Sequence, residues 1–493
     1  MHEQMKSGRI SWSQRPWASA RRGRIIVAIL AFTGILAALM QTIVIPLISE
    51  LPELLDTSAS NASWVITATL LSAAITTPIS GRLGDMYGKR RMLIICVVTL
   101  GVGSIICALT SWLPLFIVGR VLQGAATSVV PLGISILRDE LRPERVPTAI
   151  ALISATLGAG ASIALPVSAY VAQTFDWHIM FGAAAAVSAF ALVGIVAFVP
   201  ESPVKDPGRF DAVGALGLSL GLSLFLVPIT KGGTWGWDSP LVIGMLVASA
   251  VVLIGWVAFE ARTDHPMVDI AVSASRPVLL TNLASVLAGF SMFANHLILP
   301  QLLQAPASTG YGLGQSIFVA GLCLAPGGFV MMLLSPVAGR LSTTLGPKVT
   351  LVSGLTIIAM GYTGASFFMS EVWQLVIVSA VNGAGVGLAY AAMPALIMAV
   401  VPVHETAAAN GLNTLMRSVG TSSASAVLGV LLTSMTRVSG GHEVPTESAF
   451  HAGFAIAACV AAVGIAVALF IPIRSYRPDD VRPRVQKLIE EGL

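Results

Sequence analysis

Long apolar runs, separated by short segments rich in Pro, Gly and charge, dominate the pattern of hydrophobic and polar positions along this chain. Six occupy the first 200 residues, at 25–48, 64–83, 92–110, 113–137, 147–171 and 179–199. Eight follow at 212–230, 240–259, 277–300, 314–338, 349–369, 373–399, 406–435 and 449–472. A helix needs roughly 20 apolar residues to cross a bilayer. The pattern therefore predicts an all-α polytopic membrane protein with 14 transmembrane helices.

Composition supports the same interpretation. The 493 residues are 55% hydrophobic and 11% charged, whereas a soluble domain carries about a quarter charged residues. The first run is too long for the core of a signal peptide and no cleavage site is evident, so it is predicted to be a retained span. These features exclude a soluble protein and give no indication of a nucleic-acid partner.

Lys and Arg residues are distributed unevenly between the segments that join the runs. With the N-terminus inside, 24 of the 28 fall in the tails and in the segments on the inner side. Lys231 and Arg437 fall outside, and Arg120 and Arg417 lie within runs. Because Lys and Arg concentrate in cytoplasmic loops, both termini are predicted to be cytoplasmic.

A glycine- and charge-rich motif lies between the second and third runs, at Gly81–Arg91 (GRLGDMYGKRR). Glycines allow a tight turn between helices. Asp85 would sit at the membrane edge, where a carboxylate can face a helix N-terminus or the neighbouring arginines. A degenerate second copy, Gly339–Lys348, follows the tenth run and has Thr343 at the acidic position. We predict a conformational gate that comprises Gly81, Asp85, Gly88, Lys89, Arg90 and Arg340.

The repeated motif also indicates an internal repeat, because each copy follows the second run of a six-run block. Runs seven and eight would then be an inserted hairpin. Phe210–Gly214 opens this hairpin, Gly232–Trp237 forms its outer turn, and Glu260–Arg262 with His265-Pro266 closes it on the inner side. Tryptophans in the outer turn are typical of an interfacial aromatic belt.

Together these motifs resemble the major facilitator superfamily and, within it, the fourteen-span drug:proton antiporter family, over nearly the whole chain. The resemblance implies two six-helix bundles plus the inserted two-helix hairpin. It implies a division into the parts 1–24 (cytoplasmic tail), 25–200 (N-terminal bundle), 201–275 (linker with hairpin), 276–473 (C-terminal bundle) and 474–493 (cytoplasmic tail, with a tail helix at 479–493). It also implies transport rather than enzymatic activity, without a cofactor or a metal.

Polar residues within the runs are the candidates for a substrate pathway. Arg120, in an Arg-Val-Leu-Gln-Gly motif similar to one of the family, is costly in lipid and should face a partner or a water-filled cavity. A structural hydrogen-bonding role is the alternative. In the thirteenth run, a polar set spaced i, i+3 and i+7 shares one helical face. The candidate pathway residues are Gln41, Thr42, Arg120, Gln123, His296, Asn382, Tyr390, Asn410, Asn413 and Arg417.

Two departures from the family affect the expected energy coupling. The family commonly has an aspartate where Met40 stands, and none of the 24 Asp and Glu residues falls near the middle of a run. In the fifth run Pro166 is present, but Leu165 and Ala169 replace flanking glycines of the family motif. Proton antiport usually needs an intramembrane carboxylate. Two arginines without a midplane acid favour an anionic or zwitterionic amphiphile.

The sequence therefore predicts a transporter of the bacterial inner membrane that exports hydrophobic or amphiphilic small molecules by alternating access. Its expected partners are this substrate, the lipid bilayer and, for coupling, protons, and the superfamily resemblance implies a monomer. Two alternatives stay open, namely a facilitator or specific lipid or metabolite transporter without proton antiport, and a sensor without turnover. The sequence contains no phosphate-binding loop and no hydrolase motif, so neither ATP-driven transport nor an enzyme is indicated.

Overall fold

The structure, a computed structural model, describes residues 19–44, 47, 50–202, 204–206, 208–439 and 442–472. The predicted cytoplasmic tails lie almost entirely outside the described residues, as does the tail helix predicted at 479–493. Fourteen long helices, one at each predicted run, make up most of the described chain. We number them α1 to α14 in chain order.

The first eight helices are α1 Ala20–Thr42, α2 Trp64–Tyr87, α3 Lys89–Leu109, α4 Leu113–Glu140, α5 Val146–Thr174, α6 His178–Phe198, α7 Ala212–Trp235 and α8 Pro240–Glu260. The other six are α9 Arg276–Gln304, α10 Ile317–Thr344, α11 Pro347–Ala365, α12 Val372–Met398, α13 Thr406–Ser434 and α14 Glu447–Leu469. A 3-10 turn at Ala126–Ser128 interrupts α4, and α10 is interrupted at Leu334. Four-residue helices lie at Leu51–Leu54, Ala59–Ala62 and Ile270–Ser273.

Thirteen of these helices are long and apolar enough to cross a membrane, which makes the chain a multi-pass membrane protein. The exception is α11, a 19-residue helix that begins with Pro347 and Lys348. Its side chains at Leu351, Leu355 and Ile358 are fully buried in the core of the second half. The predicted all-α fold is confirmed, whereas the count of exactly 14 membrane spans remains a prediction that depends on α11.

A short antiparallel hairpin, which the apolar pattern did not predict, joins α13 to α14. Strand β1, Thr436–Ser439, pairs with strand β2, His442–Pro445, so that Arg437 lies opposite Val444. The guanidinium of Arg437 lies 4.9 Å from the centre of the Tyr311 ring and donates to the carbonyl of Thr309. These contacts hold the strand pair against the segment that precedes α10.

The inserted hairpin of α7 and α8 packs on the outside of the helical bundles. Only 17% of the residues in the most apolar stretch of α8 are buried. Val247, Val251 and Ile254 on this helix are exposed. In contrast, Leu218 and Leu222 of α7 belong to a buried core that includes residues of α2 and α13. The hairpin therefore presents α8 to lipid and rests through α7 on these two helices.

The motif at Gly81–Arg91 is helical except at one residue, so the predicted tight turn between helices is shorter than the motif. Helix α2 continues to Tyr87, and α3 begins at Lys89. The chain reverses at Gly88 alone, whose φ of 123° is a conformation that favours glycine. Gly81 and Asp85 consequently lie in the last two turns of α2, where contacts with another helix fix their positions.

The fourteen-helix arrangement predicts that α11 crosses the membrane. In a variant without the four native cysteines, a cysteine at Ser370, beyond the end of α11, should react with a membrane-impermeant maleimide added outside intact cells. A cysteine at Thr344, before the start of α11, should react only after the membrane is permeabilised. Both positions are exposed. Labelling of both from the same side would show that α11 does not span the membrane and would change the span count.

Candidate functional site

The two halves of the chain meet at a buried carboxylate. Asp85, near the end of α2, is fully buried, and its two oxygens accept hydrogen bonds from the backbone N–H groups of Ala407 (3.2 Å) and Ala408 (2.8 Å). Both groups belong to the first turn of α13, where backbone N–H groups have no partner within the helix and carry partial positive charge. The carboxylate thus caps a helix more than 300 residues away in sequence.

A buried lysine extends this contact. The Nζ atom of Lys89 lies 2.6 Å from Oδ2 of Asp139 and 3.7 Å from Oδ1 of Asp85, and all three side chains are fully buried. The hydroxyl of Ser202 also donates to Asp139 at 2.6 Å. We call Asp85, Lys89, Asp139 and the first turn of α13 the Asp85 latch. Lys89 contacts both carboxylates, and the first turn of α13 and the hydroxyl of Ser202 donate further hydrogen bonds. None of these buried charges is therefore left without a partner, which would cost several kcal/mol.

The linker after α6 packs onto the latch. Arg82 forms an ion pair with Asp206 at 2.5 Å, and the backbone N–H of Asp206 donates to the carbonyl of Asp85 at 2.9 Å. Glu201 accepts from the backbone N–H of Arg90, and its carboxylate lies where a side chain on Gly88 would have to fit. A glycine at this turn is therefore required by both its φ angle and the space around it.

A small-residue contact brings α2 and α13 close enough for the latch. A Cβ atom on Gly81 would lie 2.5 Å from the carbonyl oxygen of Ala407, and one on Gly411 would lie 2.9 Å from that of Thr77. Arg138, at the end of α4, donates to the hydroxyl of Thr406 at 2.8 Å across the same interface.

The structure thus brings together five of the six predicted gate residues. The sixth, Arg340, is exposed and forms no ion pair with the described part of the chain.

Asp139, Ser202 and Asp206 were not predicted to belong to the gate. A signal for Asp139 was present in the sequence, because a lysine in a helix-rich interface needs a carboxylate partner. Few Asp and Glu residues lie near the inner ends of the helices in the first half, so Asp139 was one of a small number of possible partners for Lys89. No comparable signal marked Ser202 and Asp206, which reach the latch only through the path of the linker.

Arg120 of α4 is fully buried and bonded within the first half. Its Nη1 atom donates to the carbonyl of Met40 (3.0 Å) and to the side chain of Gln123 (2.6 Å). Gln123 donates in turn to Ser104 at 2.9 Å. On α1, Gln41 donates to Thr127, and Thr42 bonds to carbonyls of its own helix. These contacts fit the structural role that was the alternative for Arg120.

The polar face of α13 packs against α9 and α12. The amide of Asn413 donates to Asn282 (3.0 Å) and Ser285 (2.7 Å), both on α9. Asn410 donates to the carbonyl of Thr406 within its own helix. The guanidinium of Arg417 lies 4.9 Å from the centre of the Tyr390 ring. The three predicted residues share a face, as expected, and are buried between helices.

A small cavity with a mixed polar and apolar lining lies between α5 of the first half and α9, α10 and α12 of the second. Its volume of about 30 Å³ can hold one or two water molecules. A drug-sized site of some 300 Å³ or more would require the halves to separate. Its lining includes Gly158, Ser162, Asn295, His296, Met331 and Asn382.

His296 and Asn382 are the predicted pathway residues that reach this cavity. Asn382 donates to Asn295 at 3.1 Å, while its carbonyl oxygen is buried without a hydrogen-bond partner in the described chain. The Nδ1 atom of His296 lies 3.0 Å from the carbonyl of Met292. Since the histidine bonds through one ring nitrogen only, the other is available to the cavity. Among the cavity-lining residues, His296 is the titratable one.

A model of the Major Facilitator Superfamily matches residues 30–265 and 281–491, nearly the whole chain. The chain belongs to this superfamily. It is 27% identical over 428 residues to the tetracenomycin C resistance and export protein of Streptomyces glaucescens, covering 85% of this chain and 78% of that protein. It is 26% identical over 382 residues to a multidrug resistance protein B homolog of Mycobacterium tuberculosis, covering 75% and 69%.

Solved structures show the same fold at low sequence identity. The human organic anion transporter MFSD10 superposes with a TM-score of 0.64 at 13% identity, over 92% of this chain and all of that one. The proton:xylose symporter XylE gives a TM-score of 0.61 at 14% identity, over 92% and 97%. The predicted major facilitator fold is therefore confirmed. The described residues contain no group of three or more His, Cys, Asp or Glu side chains placed to hold a metal ion.

Asp85→Asn should weaken the closure between the halves. The neutral amide keeps one acceptor but loses charge-assisted hydrogen bonds, which contribute about 1.5–3 kcal/mol each. An equilibrium change of about tenfold or more towards separated helix ends is expected. Spin labels at Tyr87 and Leu345, both exposed, would report it as a longer inter-label distance. Asp238→Asn, at the outer turn of the inserted hairpin, serves as a control, and an unchanged distance distribution in Asp85→Asn would contradict the latch.

Proposed function

We propose that the protein is a secondary active exporter of hydrophobic or amphiphilic small molecules, either drug-like compounds or lipids. It would act as a monomer in the bacterial cytoplasmic membrane, with both termini in the cytoplasm. One observation carries this proposal, namely that residues of both halves line a cavity of mixed polar and apolar character that is too small for drug-sized molecules. The curated relatives named for resistance and export support the same class of function.

In this proposal the Asp85 latch controls access from the side that carries the Lys- and Arg-rich segments. When the carboxylate leaves the first turn of α13, α2 and α13 can separate, and the cavity can widen towards that side. Renewed capping closes it again. The contacts of Asp85 join elements of opposite halves, so they have to break in every cycle of alternating access.

His296 is the group that we propose for proton coupling. Each Asp and Glu of the described long helices lies in the terminal turn of its helix, so no carboxylate is available near the middle. A histidine beside the cavity can take up and release a proton, which no other cavity-lining side chain can do. Loading of His296 would then depend on which side the cavity faces.

Replacing His296 with Gln should separate gradient-driven flux from substrate exchange. Glutamine keeps a hydrogen-bonding side chain but cannot take up a proton. In proteoliposomes with an imposed pH gradient, flux of a fluorescent amphiphile should fall to the rate without a gradient, while exchange persists. His451→Gln, on the exposed face of α14, should retain the gradient response.

The alternative is a facilitator, which the lack of a central carboxylate favours. It predicts that the wild-type flux itself does not respond to the gradient. A gradient response that survives in His296→Gln would leave antiport in place but exclude His296 as the proton carrier.

The charge of the preferred substrate should follow from Arg417. Its guanidinium lies in the second half against Thr414 and the ring of Tyr390, without a carboxylate among its described contacts. We expect Arg417→Gln to weaken binding of anionic amphiphiles about tenfold, equivalent to 1.4 kcal/mol, with little effect on cationic ones. Competition assays in proteoliposomes measure this difference. Arg437→Gln removes another arginine that lies 4.9 Å from a tyrosine ring centre and is the matched control. Strong cation transport without competition by anions would contradict an anionic preference.

A further inference from the structure

Two carboxyl groups meet at the base of the inserted hairpin, at the same end of the bundle as the latch. Asp211 is the N-cap of α7, and its Oδ1 atom accepts the backbone N–H of Gly214 at 2.8 Å. Glu260 is the last residue of α8, and its Oε2 atom lies 3.4 Å from the backbone N of Val268. Each carboxyl group thus uses one oxygen to organise the local backbone.

The second oxygen of each group is buried without a donor. Oδ2 of Asp211 and Oε1 of Glu260 are shielded from solvent and have no hydrogen-bond partner in the described chain. Glu260 as a whole is 2% exposed. A Cβ atom built on Gly214 would lie 2.3 Å from the former oxygen and 2.2 Å from the latter. The two oxygens are therefore at most about 4.5 Å apart, with the bare glycine between them.

The surroundings supply no compensating cation among the described residues. Neither carboxyl group takes part in a salt bridge, and Arg82 is paired with Asp206 instead. Asp269 caps the short helix that follows, and Glu405, before α13, is half-buried. The other charged side chains of the adjoining segments are exposed, namely Lys205, Arg209, Arg262, Asp264 and His265. The sides of α2 and α13 that face α7 contribute apolar residues such as Ala74 and Leu415.

Two ionised carboxylates in this position would repel each other, and each would leave a buried acceptor unsatisfied. A single proton removes both penalties, because a protonated carboxyl can donate an O–H···O⁻ bond to its neighbour. We propose that Asp211 and Glu260 share one proton, which makes the base of the hairpin a proton-binding site. The proton comes from the adjoining aqueous phase and returns to it, with no other bond made or broken.

Loss of the shared proton would place two negative charges at the junction of α7 and α8. Because α7 rests on α2 and α13, the same two helices that form the latch, separation of the hairpin base would loosen the support behind that contact. The site is distinct from the cavity near His296 and does not depend on the proposed direction or substrate of transport.

The test uses Glu260→Gln and Asp211→Asn in the full-length protein. Each amide can donate an N–H to the remaining carboxylate and so imitates the protonated pair. When the pH is raised from about 5 to about 9, the midpoint temperature of thermal unfolding of the wild type should fall by a few degrees, because the shared proton is lost. The sign follows because the folded state holds a proton that the unfolded state releases. Both variants should lose fewer degrees than wild type over the same interval, because this pair no longer contributes, whereas Asp238→Asn should behave like wild type.

Infrared spectroscopy supplies a second measurement that does not depend on stability. The carbonyl stretch of a protonated carboxyl should be present in wild type at neutral pH, disappear at high pH, and be absent from Glu260→Gln and Asp211→Asn. If the band and the pH profile of unfolding are the same in wild type and both variants, the shared proton is disproved. Stabilisation at high pH by NaCl but not by choline chloride would show instead that the pair binds a metal cation.

Discussion

The carboxylate of Asp85 at the N-terminus of α13 is the contact on which the closed arrangement of the two halves depends. A buried carboxylate is stable only with donors and positive charge around it. The first turn of α13 supplies both, and it belongs to the opposite half of the chain. The single positive charge of Lys89 is shared between Asp85 and Asp139. Disturbing the capped helix therefore disturbs a charge network that reaches back to α4 and the linker.

The inserted hairpin of α7 and α8 packs next to the Asp85 latch, which suggests a structural role for it. Its second helix, α8, is almost wholly exposed to lipid, so the pair adds little to the bundle cores. Its first helix instead packs against α2 and α13, across the seam that the latch closes. A helix lying across a seam must slide or tilt when the seam opens, since packed interfaces have discrete arrangements rather than continuous ones. The hairpin is thus placed to bias the two halves between arrangements.

Much of the fold followed from the periodicity of apolar residues, because lipid requires long helices with all backbone groups paired. The polar start of α13 was still recognised as helical, and Asp85 was expected to face either a helix N-terminus or the neighbouring arginines. Which helix it faces could not be read from the sequence, since the contact spans 322 residues. Glycines of the motif around it were expected to allow a tight turn between helices, and this turn is formed by Gly88 alone, whereas Gly81 and Gly84 lie within α2. They instead provide close helix contacts, which local sequence does not distinguish from a bend.

The distribution of ionisable groups bears on how a gradient could drive this molecule. The buried carboxylates Asp85, Asp139 and Glu260 all lie at the latch or the hairpin base. The cavity is lined by His296, and Arg417 lies elsewhere in the second half, against Tyr390. In a carrier with a central carboxylate, substrate and proton compete for one site. Here protonation of the carboxylates at the latch and the hairpin base would change the stability of the contact between α2 and α13. Protonation of His296 at the cavity would change the affinity for substrate. These two effects are separable, because the first acts on the conformational equilibrium even when no substrate is bound, whereas the second requires substrate.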